Sequence, residues 1–107
     1  MSDDPLVLPP QATLADLQSY VIELERQRGF DDQSVIDKCL LMGEEMGELF
    51  KAVRTAEGLK IDVPGGEVAD ELADVLIFLC SIANRYDVDL EAAFRAKEAV
   101  NKQRVWK

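Results

Sequence analysis

The sequence has no histidine among its 107 residues. This absence excludes Ser-His-Asp and Cys-His nucleophilic sites, a histidine general base, and any zinc site that relies on imidazole. Cysteine is also scarce, since Cys39 and Cys80 are far apart and form no CxxC motif. Both fall on predicted apolar helix faces, so we expect free thiols that behave as small hydrophobic side chains, without a disulfide.

Positively charged residues are fewer than negatively charged residues. Twelve lysine and arginine residues accompany 21 aspartate and glutamate residues, which gives a formal net charge of −9. This balance argues against a basic surface that binds DNA or RNA polymers. No apolar run approaches the roughly 20 residues that span a bilayer, and the acidic, proline-rich start MSDDPLVLPPQ is unlike a secretion signal. We therefore expect a cytoplasmic protein that binds neither a membrane nor a nucleic acid polymer.

Prolines in the first twelve residues predict an extended arm over residues 1–12. Beyond the arm, apolar residues recur at a spacing of three and four in four segments, and capping residues precede several of them. These patterns predict helices over about residues 13–28, 35–57, 67–86 and from residue 90 onward. No strand pattern competes with them.

Four helices with short connections predict one all-α domain over residues 13–107, a four-helix bundle-like fold centred on the two long helices. We expect Leu72, Leu76 and Leu79 of the third helix to turn inward. The apolar faces of the second and third helices are wider than one chain covers. We therefore expect a homodimer or homotetramer that associates through them.

Carboxylates interrupt an apolar helical segment in GEEMGELFKAV, residues 43–53. Glu45 and Glu48 are three residues apart on the second helix, and Glu71 and Asp74 have the same spacing on the third, so each pair shares one helix face. If these helices pack antiparallel, four carboxylates converge and need a compensating cation. Oxygen ligands alone suit Mg²⁺, with Mn²⁺ as a substitute, and substrate phosphates usually complete a magnesium site. A solvated acidic face is the alternative interpretation.

The order of these motifs resembles the MazG-like nucleoside triphosphate pyrophosphohydrolases, the all-α NTP pyrophosphatase superfamily. The EExxE motif at residues 44–48 is followed, after 22 intervening residues, by ExxD at residues 71–74. The segments LADLQSYVIELERQRGF, DELADVLIFL and KEAVNKQR resemble the family's first, third and last helices. The resemblance covers about residues 13–104.

This resemblance implies a magnesium-dependent hydrolase that cleaves a nucleoside triphosphate, in particular a deoxynucleotide, between its α and β phosphates. The products are the monophosphate and pyrophosphate, and nucleotide-pool housecleaning is the implied role. By position, Glu45, Glu48, Glu71 and Asp74 would bind the metal. Glu44 would position or deprotonate the attacking water, a task for which a carboxylate suffices when a metal acidifies that water.

Lys38 is a candidate for contact with a substrate phosphate, since it precedes Glu45 by two helical turns on the same face. An ordinary solvated lysine is the alternative. Phe30, in the loop after the first helix, and Phe78, one turn beyond Asp74, are candidates to stack on or wall the base. For both rings, core packing is the alternative.

The fourth helix carries Lys97, Asn101 and Arg104, which match the family's KxxxNxxR pattern. By this resemblance the two basic residues would meet phosphates. Asn101 would read a base edge, because its side chain offers both a donor and an acceptor.

Two other classes of protein gather acids on helices. A di-iron carboxylate bundle normally needs Glu-x-x-His motifs, which a chain without histidine lacks. A non-catalytic acidic interaction or regulatory module has no reason to aim four carboxylates at one point. The convergence of these carboxylates is therefore the feature that separates an enzyme from such a module.

Overall fold

Four helices form at the positions that the sequence predicts. The computed structural model describes residues 6–104, so residues 1–5 of the predicted arm lie outside the described residues. The helices are α1 (Leu14–Arg28), α2 (Val35–Ala56), α3 (Val68–Arg85) and α4 (Leu90–Asn101). Residues 6–104 contain no strand, which confirms the all-α prediction. Within the same residues, no helix is both long and apolar enough to cross a membrane.

The helix ends follow ordinary capping chemistry. Thr13 and Asp16 form a reciprocal capping box at the start of α1. Ser34 accepts a hydrogen bond from the backbone amide of Asp37 at the start of α2. Gly29 ends α1 with φ at 73°, in the left-handed region where a residue without Cβ carries no steric penalty.

Helices α2 and α3 form the most extensive contact and run in opposite directions. Near the start of α2, Lys38 Nζ lies 5.9 Å from the ring centroid of Phe78. Further along α2, a carboxylate oxygen of Glu45 lies beside one of Asp74. The later α2 residue is paired with the earlier α3 residue, so the two helices are antiparallel neighbours.

A small apolar core lies between α1 and α3. Its buried members are Val21, Leu24 and Cys80, and the partly buried side chains of Leu6, Leu17, Tyr20 and Leu90 pack against them. Because Leu6 belongs to the predicted amino-terminal arm, this part of the arm rests on the core of the same chain.

Two expectations about burial are wrong. Leu72, Leu76 and Leu79 are 52%, 37% and 42% exposed, because α2 and α1 cover other sides of α3 and leave this side open. Cys39 is a free but exposed thiol, whereas Cys80 is free and buried as expected.

Helix α4 packs mainly on α1 and contains no buried residue. The side-chain amide of Gln18 fixes its start. Gln18 Nε2 donates to the carbonyl of Val88 at 2.7 Å and to Asn84 Oδ1 at 3.2 Å, while Oε1 accepts from the backbone amide of Leu90 at 3.0 Å. These bonds satisfy the buried amide and tie α1 to the α3–α4 turn.

The connection between α2 and α3 folds back onto α2 at Gly65. The backbone amide of Gly65 donates to Thr55 Oγ1 at 2.9 Å. A Cβ at Gly65 would lie 2.7 Å from the backbone nitrogen of Ala52 and 2.8 Å from the carbonyl carbon of Lys51. Only glycine therefore permits this close backbone approach.

We predict that Gly65→Ala destabilises the fold by ~1–3 kcal/mol, because the new methyl group must displace backbone atoms of α2. Urea unfolding measures the free energy. Gly43→Ala is the matched control, since a Cβ there meets nothing within 4 Å, and alanine in a helix interior should stabilise by up to ~1 kcal/mol. Equal effects of the two substitutions would contradict the prediction.

Candidate active site

Three acidic side chains meet between α2 and α3. Glu45, Glu71 and Asp74 each offer one carboxylate oxygen, and these oxygens lie within 4.8 Å of one another. The spacing of Glu71 and Asp74 places both on one face of α3, and the antiparallel packing brings Glu45 opposite them. We call these three residues the carboxylate cluster.

Electrostatic repulsion is strong in the carboxylate cluster. Partial burial, followed by the negative charges of Asp74 and Glu71, raises the pKa of Glu45 above its ordinary value. A hydrogen bond with Glu71 and the charge of Glu48 act in the same direction. The cluster therefore favours an added positive charge, supplied by a proton or a cation.

The donor chemistry of the cluster fits a hard divalent cation. All of its ligand atoms are carboxylate oxygens, and it includes no thiolate or imidazole. Such donor sets suit Mg²⁺ or Mn²⁺ better than softer metals. The burial of the cluster is graded, with Glu45 and Glu71 partly buried and Asp74 exposed, so one side of the site opens to solvent and can admit a substrate.

Two other glutamates of the EExxE motif flank the cluster without joining the group of three. Glu48 lies one turn beyond Glu45 on α2 and is exposed, although its charge reaches Glu45. Glu44 is also exposed. Their assignments as metal ligand and as partner of the attacking water remain predictions.

A glycine before α3 also borders the carboxylate cluster. A Cβ at Gly66 would lie 3.0 Å from Glu71 Oε1, so the absence of a side chain leaves room for that carboxylate. The sequence signal was available, because Gly65 and Gly66 directly precede the helix that carries the ExxD motif.

Lys38 is not a solvated lysine, since only 3% of its surface is exposed. Its ammonium lies 2.9 Å from Glu25 Oε2. The rings of Phe30 and Phe78 also surround it, with centroids 5.4 Å and 5.9 Å from Nζ. The structure thus brings three predicted substrate residues together, while contact between Lys38 and a phosphate remains a prediction.

Sequence reasoning missed two members of this group. Glu25 pairs with Lys38, and the guanidinium of Arg85 lies 3.6 Å from the same Glu25 oxygen. Glu25 stands four residues after Val21 and one after Leu24, on the buried side of α1. A charged residue on an apolar helix face was the signal that could have found it.

The predicted substrate residues Lys97, Asn101 and Arg104 lie on or just beyond α4, which packs mainly on α1. Lys97 and Asn101 line one side of a cavity of about 310 Å³. Within residues 6–104, the Oδ1 atom of Asn101 is buried and accepts no hydrogen bond.

A family model for the MazG nucleotide pyrophosphohydrolase domain matches residues 34–104. The matched region begins at the residue that caps α2 and includes α2, α3 and α4. It therefore contains every member of the carboxylate cluster.

Proteins with related sequences carry names that agree with this match. The chain is 35% identical over 107 residues to dCTP pyrophosphatase 1 of Rattus norvegicus, covering 94% of this chain and 63% of the rat protein. It is 34% identical over 101 residues to a dATP/dGTP diphosphohydrolase of Cyanophage S-2L, covering 89% and 79%. A dATP/dGTP diphosphohydrolase of Salmonella phage PMBT28 is 34% identical over 94 residues, covering 88% of this chain and 28% of the phage protein.

The chain thus spans less than two thirds of the rat and Salmonella phage proteins. The family model nevertheless matches well over half of this chain and includes the entire carboxylate cluster. The resemblance seen in the sequence motifs is confirmed, and the chain belongs to the MazG nucleotide pyrophosphohydrolase domain family.

Proposed function

We propose that this protein hydrolyses deoxynucleoside triphosphates between the α and β phosphates and releases the monophosphate and pyrophosphate. The observation that carries the proposal is the convergence of Glu45, Glu71 and Asp74 in a chain that matches the MazG domain model. Related proteins named for dCTP and for dATP/dGTP support a deoxynucleotide substrate. Removal of unwanted nucleotides from the cellular pool is the proposed role.

The carboxylate cluster and Glu48 are the proposed ligands of Mg²⁺, with Mn²⁺ as a substitute. When bound, the cation supplies positive charge to phosphate oxygens and lowers the pKa of water. Glu44 adjoins Glu45 in the chain and is exposed, so its carboxylate can accept a proton from water. This assignment agrees with the absence of histidine, the usual general base, from the sequence.

The proposed substrate contacts lie outside the cluster. Lys97 and Arg104 meet phosphates in this proposal, and the side-chain amide of Asn101, which has both a donor and an acceptor, reads a base edge. Phe30 is 40% exposed, and its ring and that of Phe78 both lie near Lys38 Nζ. In this proposal the two rings wall the base.

We also propose that the protein is a homodimer or homotetramer. The chain exposes 8046 Å² of surface, whereas a compact monomer of this size exposes about 6,000 Å². Several of the large apolar side chains that are exposed share one face of α2 and one face of α3: Ile36, Leu40 and Phe50, and Leu72, Leu76 and Leu79. At about 100° per residue, Glu45 lies on the opposite side of α2 from its exposed apolar face, so association leaves the carboxylate cluster accessible.

We predict that sedimentation gives a mass of two or four chains. Leu79 is 42% exposed in the single chain. Leu79→Glu should shift the mass toward one chain, because it places a charge on the apolar face of α3. Ser19→Glu, at an exposed position of α1, is the control and should keep the assembly. A wild-type protein that sediments as a single chain would refute the proposed homodimer or homotetramer.

Product analysis with each common deoxynucleoside triphosphate tests the reaction itself. With Mg²⁺ we expect the monophosphate and pyrophosphate, and excess chelator should abolish both products because carboxylates alone cannot neutralise the phosphates.

Glu48→Gln should remove magnesium-dependent turnover while the helix content, measured by circular dichroism, stays intact. Full activity of this variant would take Glu48 out of the site. Orthophosphate, or no product from any triphosphate, would refute the proposed reaction and favour the non-catalytic acidic module.

We further predict that Glu45→Gln stabilises the metal-free protein at pH 7. The raised pKa of Glu45 means that the folded state holds its proton more tightly than the unfolded state. The stabilisation that this proton gives is complete below the unfolded pKa and is lost as the pH rises through the folded pKa. Glutamine is uncharged at every pH, so the gain over wild type should be present at pH 7 and vanish near pH 4.

Thermal unfolding with and without Mg²⁺ measures the stability of the metal-free protein and the stabilisation that the metal adds. Mg²⁺ should raise the melting temperature of the wild type far more than that of the variant. Glu98→Gln changes an exposed acid on α4 and is the control. It should match the wild type in the stability of the metal-free protein and in its stabilisation by Mg²⁺. A metal-free Glu45→Gln protein that is less stable than wild type at pH 7 would contradict the repulsion.

A further inference from the structure

Three charged side chains meet where the carboxyl-terminal part of α1 approaches α2 and α3. Glu25 is 5% exposed and Lys38 is 3% exposed. Lys38 Nζ lies 2.9 Å from Glu25 Oε2, and an Arg85 guanidinium nitrogen lies 3.6 Å from the same oxygen. We call these residues the buried ion triad.

Fold stability alone does not account for a buried ion triad. Removing charges from water is costly, and well-packed apolar residues of similar volume commonly stabilise a fold as well or better. Lys38 and Glu25 nevertheless stand where α1, α2 and α3 meet, next to an apolar core. The residues that the triad contacts indicate another role.

One backbone hydrogen bond at the end of α1 and the side chains of Lys38 and Arg85 hold Phe30 in place. The backbone amide of Phe30 donates to the carbonyl of Glu25 at 2.8 Å. Its own carbonyl accepts from Arg85 at 3.3 Å, and Arg85 also donates to the carbonyl of Gln33. Lys38 Nζ lies 5.4 Å from the centre of the Phe30 ring. A loop residue that is 40% exposed is thus fixed through both its backbone and its ring.

The same ammonium also contacts Phe78, with 5.9 Å between Nζ and the ring centroid. Phe78 is one turn, about 6 Å, beyond Asp74 on α3, and Lys38 is about 10 Å before Glu45 on α2. Because α2 and α3 are antiparallel, the step from Asp74 to Phe78 and the step from Glu45 back to Lys38 point in the same direction, toward the start of α2. The two rings therefore lie beside the carboxylate cluster, toward the start of α2.

We propose that the buried ion triad is a positioning device for the nucleobase. Lys38 and Arg85, neutralised in part by Glu25, hold Phe30 and Phe78 as a fixed aromatic wall against which the base of the substrate packs. Lys38 is then a positioning residue that acts through the rings, and it makes no contact with a phosphate. This inference rests on the proposed function, because it assumes a nucleotide at the carboxylate cluster.

The test compares two ligands in order to distinguish contacts with the base from contacts with the phosphates. The KM for a deoxynucleoside triphosphate reports on both, whereas the inhibition constant of inorganic triphosphate reports on phosphate contacts alone. The double variant Glu25→Gln with Lys38→Met removes both buried charges together. Arg85 loses its carboxylate partner in this variant, but its side chain is 23% exposed, so water can solvate the guanidinium. We expect its KM to rise about tenfold, within the range for loss of a base–aromatic contact, with the inhibition constant unchanged.

Three further variants complete the experiment. Phe30→Ala, at a partly exposed residue, should give the same selective rise in KM without disturbing the buried charges. In the Phe30→Ala background the double variant should raise KM by less than tenfold, because both changes act on one wall. Lys60→Met, at an exposed loop lysine, is the control and should leave both constants unchanged.

Several results would overturn the inference. An inhibition constant that rises in parallel with KM would show that Lys38 binds phosphate. An unchanged KM in a folded double variant, or in Phe30→Ala, would reduce the triad to a structural feature. Failure of the wild type to hydrolyse any triphosphate would refute the proposed function instead, and this result is distinguished by the wild-type assay that precedes every variant.

Discussion

Repulsion among Glu45, Glu71 and Asp74 is the constraint on which the rest of the structure depends. Three carboxylate oxygens within 4.8 Å of one another oppose the folding of the metal-free chain. Partial burial, followed by the charges of Asp74 and Glu71, raises the pKa of Glu45. The extensive contact between α2 and α3 must outweigh this repulsion. Gly65 packs closely on the backbone of α2 at one end of the contact between the two helices. The buried ion triad lies at the other end.

The two ends of the helix pair differ in chemistry. At the Gly65 end, backbone meets backbone and Gly66 leaves room for the carboxylate of Glu71. At the opposite end, Glu25 and Lys38 pair beneath the rings of Phe30 and Phe78. A cation-attracting cluster lies between the two ends, next to an aromatic surface. This arrangement suits a ligand with an anionic part and a planar apolar part.

One chain leaves much of its apolar surface exposed. Among residues 6–104, the buried apolar cluster consists of Val21, Leu24 and Cys80, and no residue of α4 is buried. The Gln18 amide ties the start of α4, the helix that carries Lys97 and Asn101, to α1. A second copy that covers the exposed apolar faces of α2 and α3, as proposed above, would account for the small core of one chain.

The sequence by itself determined the helices, the family and the chemistry of the cluster, because these depend on local spacing. Capping residues fix the helix ends, and the ExxD spacing places Glu71 and Asp74 on one face whatever surrounds them. Only the tertiary structure decided which groups meet across helices. It left Leu72, Leu76 and Leu79 exposed where periodicity predicted burial, and it buried Lys38 against Glu25, more than a dozen residues away. Periodicity identifies an apolar face but not the neighbour that covers it, and the partner of a charge depends on how the helices pack.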